Sequence, residues 1–134
     1  MNGLPRVLLV DDDDGVRRVL NIVLGSAGFE VLLADSGGRA LQLFREQGGV
    51  DVILTDLRMP EMHGSDFIRA MRKLDRHVPI IVLTGNDPGS VPEGASQLLI
   101  KPVQPAILIE ALRNVTILHS GHVRLGNMPK AEDA

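Results

Sequence analysis

Short apolar runs recur along the chain, each bounded by turn residues and separated by stretches whose apolar positions repeat at helical spacing. VLLV (7–10) reads as a strand buried on both faces, and EVLLA (30–34), VDVILT (50–55), VPIIVLT (78–84) and QLLI (97–100) follow as the second to fifth strands. Between the first two strands, GVRRVLNIVLGSAG carries Val16, Val19, Leu20, Val23, Leu24 and Ala27 as a helical stripe. Asp13 or Asp14 is placed to cap that helix and Gly28 to end it. Ser36 is placed to cap a short helix with Ala40, Leu41 and Phe44 inward, stopped by Gly48-Gly49. A third helix is expected over about 65–74, with Phe67, Ile68 and Met71 as its stripe. The last begins near Pro105, a residue suited to a first helical turn, and carries Ile107, Leu108, Leu112 and Val115. It is expected to stop near Ser120, at Gly121.

Alternating strands and helices predict an α/β fold, a parallel sheet with helices on both faces. One connection breaks the pattern. GNDPGSVPEGAS, between the fourth and fifth strands, holds Gly85, Pro88, Gly89, Pro92 and Gly94. A proline removes a helical hydrogen bond and clashes with the preceding turn, so at most one turn of helix is expected there. Residues 1–120 therefore read as one domain. The Gly- and Pro-containing segment 121–134 has no apolar stripe and reads as a tail or linker.

In such sheets ligands bind beyond the carboxyl ends of the strands. Asp11, Asp12, Asp13 and Asp14 follow the first strand, Asp56 the third and Lys101 the fifth, while Thr84 ends the fourth. Several carboxylates in one place call for a cation. A hard divalent ion such as Mg2+ takes oxygen ligands, keeps several waters and needs only one or two protein carboxylates. Zinc is disfavoured, because the chain has no Cys and its His residues show no ligand spacing with the acidic cluster. A lone carboxylate at a strand end can also act as a nucleophile and form an aspartyl phosphate. Asp56, with a Lys ammonium and a Thr hydroxyl to neutralise phosphoryl oxygens, supplies that set.

The motifs VLLVDDDDGVRR, VILTDLRMPEMHG, PIIVLTG and LLIKP, in that order, resemble the receiver domain of two-component response regulators, of the chemotaxis-regulator type, over about residues 4–115. The resemblance implies a flavodoxin-like strand order 2-1-3-4-5; against the family pattern, the segment between the fourth and fifth strands is expected to leave the fourth helix lost or reduced to about one turn. It makes Asp56 the phosphoacceptor, 44 positions after Asp12. Mg2+ would be held by Asp11, Asp12, Asp56 and the backbone carbonyl of Arg58. Thr84 and Lys101 would bind the phosphoryl group, and the bond before Pro102 would be cis. The donor would be a histidine kinase or a histidine phosphotransfer protein, and phosphorylation would shift a conformational equilibrium read by a partner or output domain.

Three departures from the family stand out. Thr84 and Lys101 are only 17 positions apart, which leaves no room for the usual fourth helix. Leu98 stands at the switch position that is usually aromatic. Arg58 and Asn86 occupy the positions, two past Asp56 and Thr84, that help set the lifetime of the aspartyl phosphate. His63, where many receivers have Asp, reads as an exposed turn residue.

Charge and composition narrow the partners. A net charge of −3 gives no electrostatic footprint for nucleic acid. No apolar run approaches a membrane span, and MNGLPR lacks a signal core, so a cytoplasmic protein is expected. Two other readings remain. A pseudo-receiver would keep the fold as a binding module without phosphorylation. A haloacid-dehalogenase-like phosphatase would use DDDDGV as its Asp-x-Asp nucleophile motif. That enzyme needs an acidic pair after its Lys, where this chain has only Glu110, Glu132 and Asp133.

Overall fold

The computed structural model describes residues 3–59 and 61–127, with side chains described as far as residue 117. Five parallel strands, β1 (Arg6–Val10), β2 (Glu30–Ala34), β3 (Val52–Thr55), β4 (Ile80–Thr84) and β5 (Gln97–Ile100), lie in the order β2-β1-β3-β4-β5. The helices are α1 (Asp14–Ser26), α2 (Gly37–Gln47), α3 (Gly64–Leu74) and α4 (Pro105–Asn127). This is the flavodoxin-like topology, and no helix connects β4 to β5.

Period-two alternation divides the core between two faces. Leu8 and Val10 of β1, Ile53 of β3, and Ile80 and Val82 of β4 point to one side, where they pack with Ala40, Leu41, Phe44, Phe67, Ile68 and Met71 of α2 and α3. Val7, Leu9, Val52, Leu54, Ile81 and Leu83 point to the other and pack with Leu24 of α1 and Leu108 and Leu112 of α4. Because both faces of β1, β3 and β4 are covered, these strands read as continuous apolar runs.

The helix ends follow from local chemistry. Asp13 caps α1 by accepting from the Val16 N–H at 3.0 Å, and Ser36 caps α2 by accepting from Arg39 N–H at 3.1 Å. Gly48 closes α2 in the left-handed conformation, at φ 73°. Three boundaries differ from expectation. β3 begins at Val52 rather than residue 50. β4 begins at Ile80 rather than residue 78, because the Val78 N–H is taken by Asp75 Oδ1 at 3.0 Å and Pro79 has none to offer. The backbone of α4 runs past Gly121 to Asn127. A helical glycine costs only about 1 kcal/mol, and no proline intervenes to force a stop. Residues 128–134 of the expected tail lie outside the described residues.

The β4–β5 connection, 85–96, is a chain of bends and turns held down on α3. Arg72 Nε donates to the Gly94 carbonyl at 2.9 Å, and Arg72 Nη1 to the Asp75 carbonyl at 3.1 Å. Gly94 sits at φ 91°, where a methyl group would stand 2.8 Å from Ile68 Cγ2. Glycine alone suits both the conformation and the close approach. Leu98 pairs with Val82 and is partly buried against the α2–α3 side of the core.

Candidate functional site

The carboxyl ends of β1, β3 and β5 converge on one open cleft lined by Asp11, Asp12, Asp13, Asp56, Arg58, Met59, His63 and Lys101. β1 and β3 are neighbours in register, Val10 beside Thr55, so the residues that follow them emerge side by side. Asp11 and Asp56 are both buried, whereas Asp12 and Asp13 are exposed. The chain turns after Asp11, whose Oδ1 accepts from the Asp13 N–H at 2.9 Å. Arg17 ties the turn down, donating to the Asp11 carbonyl at 2.7 Å and pairing with Asp14.

Lys101 reaches between the two buried carboxylates. Its Nζ lies 3.0 Å from Asp56 Oδ2 and 3.4 Å from Asp11 Oδ2. The other oxygen of Asp56, Oδ1, accepts from the Leu57 N–H at 2.6 Å and the Arg58 N–H at 3.1 Å. Burial alone would raise the Asp56 carboxyl. The Arg58 N–H and the Lys101 ammonium outweigh it, with a smaller contribution from the Thr84 hydroxyl, and hold Asp56 below the usual carboxylate range. Asp11 goes the other way: burial raises it, against the Asp13 N–H and Lys101. Burial pulls the Lys101 ammonium down, but Asp56 and Asp11 together raise it. At neutral pH the centre therefore holds an ionised Asp56 and a protonated Lys101.

Thr84 is buried at the end of β4, and its Oγ1 stands 3.5 Å from the Asn86 N–H. The peptide bond between Lys101 and Pro102 is cis. Arg58 and Asn86 meet: with the amide oxygen turned to the guanidinium, Asn86 accepts from Arg58 Nε and Nη2 at 2.9 Å each. That contact joins the segments after β3 and β4 at the rim, and no spacing rule announced it. His63 is more than a turn residue. It is the N-cap of α3, with Nδ1 accepting from the Ser65 N–H at 3.1 Å.

The donors at this edge fit a hard divalent cation. Asp11, Asp12 and Asp56 bring carboxylates and Arg58 a backbone carbonyl to the lining of one open cleft, whose only softer donors among the described residues are the Met59 thioether and a single imidazole, His63, with no thiolate. Among the described residues no three acidic or His side chains form a closed cation cage. Mg2+ does not need one, since water completes its shell. Glu110 lines a separate groove between α1 and α4, so it cannot complete a phosphatase metal site at this cleft. Among the described residues no helix is long and apolar enough to cross a membrane.

Comparison with known proteins agrees with this geometry. The family described as the response regulator receiver domain matches residues 7–113. The two-component response regulator ORR5 of Oryza sativa subsp. japonica is 36% identical over 111 residues, covering 78% of this chain and 83% of its own. Chemotaxis protein CheY of Thermotoga maritima is 34% identical over 117 residues, covering 83% of this chain and 97% of its own. The crystal structure of a response regulator receiver domain protein from Clostridium thermocellum superposes with a TM-score of 0.79 at 32% identity, covering 87% of this chain and 98% of that one. A fold with this strand order, this acidic edge and these relatives has one assignment: the chain belongs to the response regulator receiver domain family.

Proposed function

We propose that this receiver domain accepts a phosphoryl group on Asp56. The observation that carries the reading is the Lys101 ammonium, 3.0 Å from a buried Asp56 carboxylate held ionised at the sheet's carboxyl edge. An Asp56 oxygen attacks phosphorus, the bond from phosphorus to a donor imidazole breaks, and an acyl phosphate forms. The donor is a phosphohistidine on a histidine kinase or phosphotransfer protein. Mg2+, when bound by Asp11, Asp12, Asp56 and the Arg58 carbonyl, supplies charge neutralisation for the transferring oxygens. Lys101 holds one phosphoryl oxygen, and the Thr84 hydroxyl moves to hold another, shifting the domain toward its signalling conformation. The signal then passes to a downstream protein or output domain.

Incubation with acetyl phosphate and Mg2+ is expected to add one phosphoryl group, read by intact mass. Chelation of Mg2+ or the Asp56→Asn change removes the addition. No mass gain under any condition would leave a binding module without phosphorylation.

Asp11 gives a second test. Its folded-state carboxyl is raised by burial. Its ionised form therefore works against folding at pH values above that range, and protonation relieves the cost. Asp11→Asn is expected to raise the metal-free unfolding midpoint at neutral pH by about 2–5 °C. The same change should abolish the further rise that Mg2+ gives the unaltered protein, as followed by thermal unfolding with and without the ion.

A further inference from the structure

The start of α3 is built against the backbone that follows Asp56. Gly64 N–H donates to the Leu57 carbonyl at 2.9 Å, and a methyl group on Gly64 would stand 2.5 Å from Leu57 Cα. Leu57 N–H in turn donates to Asp56 Oδ1 at 2.6 Å. A short line of contacts thus runs from the first turn of α3, through Leu57, to the Asp56 carboxylate.

His63 secures the near end of that line. Its backbone is extended, its carbonyl accepts from the Phe67 N–H at 3.0 Å, and its Nδ1 accepts from the Ser65 N–H at 3.1 Å. An accepting Nδ1 carries no proton, so the cap requires a neutral imidazole with its hydrogen on Nε2. Protonation turns Nδ1 into a donor, leaves the Ser65 N–H without its partner and sets a cation at the positive end of the helix dipole. Asp, Asn or Ser at this place would cap at any pH near neutrality.

On the phosphoacceptor reading above, we propose that His63 is a positioning residue for Asp56: by capping α3 it holds Leu57, and through the Leu57 N–H the carboxylate, in register for phosphoryl transfer. The cleft brings other charges to the same wall. Asp11, Asp12 and Asp13 come from the β1–α1 turn, Asp56 and Arg58 from the segment after β3, and Lys101 from the end of β5. Asp66 lies in the first turn of α3 itself. A His63→Asn variant keeps all of them, so its difference from the unaltered protein reports the imidazole alone.

The test compares the full chain with its His63→Asn and His63→Ala variants between about pH 5.5 and 8. Both the thermal unfolding midpoint and the rate of labelling by acetyl phosphate with Mg2+ are followed. His63→Asn is expected to match the unaltered protein at the alkaline end. At the acid end it should exceed it by a few degrees in midpoint and about threefold to tenfold in rate. His63→Ala should fall below both at the alkaline end. Parallel midpoint profiles for the unaltered and Asn proteins, or an Ala variant as stable as Asn, overturn the proposal. Absence of labelling in all three proteins sinks the phosphoacceptor reading instead, and the midpoints still decide the cap.

Discussion

Lys101→Met is expected to slow phosphoryl acceptance by about 10²-fold or more, because it removes a fixed cation from where charge develops. The same change tests the resting structure. Lys101 Nζ is shared between Asp56 Oδ2 and Asp11 Oδ2, and without it two buried carboxylates face one another with no cation between them. Raised above its ordinary value, the Lys101 ammonium stabilises the fold fully below the unfolded-state lysine range, an effect lost as pH rises through the folded value. Asp56, held low, stabilises above the unfolded-state carboxyl range and loses that effect as pH falls through its folded value. Neutral pH lies inside both windows, so the loss on substitution is largest there. Breaking a fully buried pair costs about 3–5 kcal/mol. The Lys101 side chain is 28% exposed, so water screens the pair and about 1–2 kcal/mol is the better expectation. Mg2+ discriminates this account from a simple packing loss. With no ammonium competing for the same oxygens, the ion should raise the unfolding midpoint more in Lys101→Met than in the unaltered protein. An equal or smaller rise would mean that Lys101 and the metal do not share a site.

Much of this centre is legible in the sequence. Runs such as VLLV and IIVLT are apolar at every position, a pattern that only a strand covered on both faces requires. Once the strands were parallel, the residues following them had to meet at one edge, so Asp11, Asp56 and Lys101 could be brought together although they are separated by 45 positions at each step. The loss of a helix between β4 and β5 was also legible, because Pro92 and the glycines forbid a regular connection. What stayed hidden depends on three-dimensional closeness or on atoms that spacing does not rank. Nothing in DDDD distinguishes a buried Asp11 from an exposed Asp12. The bond between Arg58 and Asn86 requires knowing that two rims touch. His63 looked like a turn residue because histidine is not among the favoured caps, yet its Nδ1 does the same work. The end of α4 is not legible either, because Gly121 lowers helix propensity without forbidding the helix.

Gly64 was hidden for the same reason, and it carries the largest expected effect on folding. Gly64→Ala is expected to lower stability by about 2–3 kcal/mol, roughly 10 °C in unfolding midpoint, and to slow labelling of Asp56 by on the order of 10²-fold. The added methyl would stand 2.5 Å from Leu57 Cα and 3.0 Å from the Asp56 carbonyl oxygen, both backbone atoms that no rotamer change can move away. Relief demands one of two shifts. Either α3 backs off and its Gly64 N–H loses the Leu57 carbonyl, or the backbone at 56–57 moves and takes the carboxylate with it. Both disturb the alignment of Asp56 with Lys101. Gly38→Ala is the control, since a methyl there meets nothing within 4 Å and helix α2 gains propensity. That variant should be more stable by about 0.5–1 kcal/mol and label normally. If Gly64→Ala proved as benign as Gly38→Ala, the close packing of α3 against the segment after Asp56 would have to be abandoned, and with it the route by which the helix positions the carboxylate.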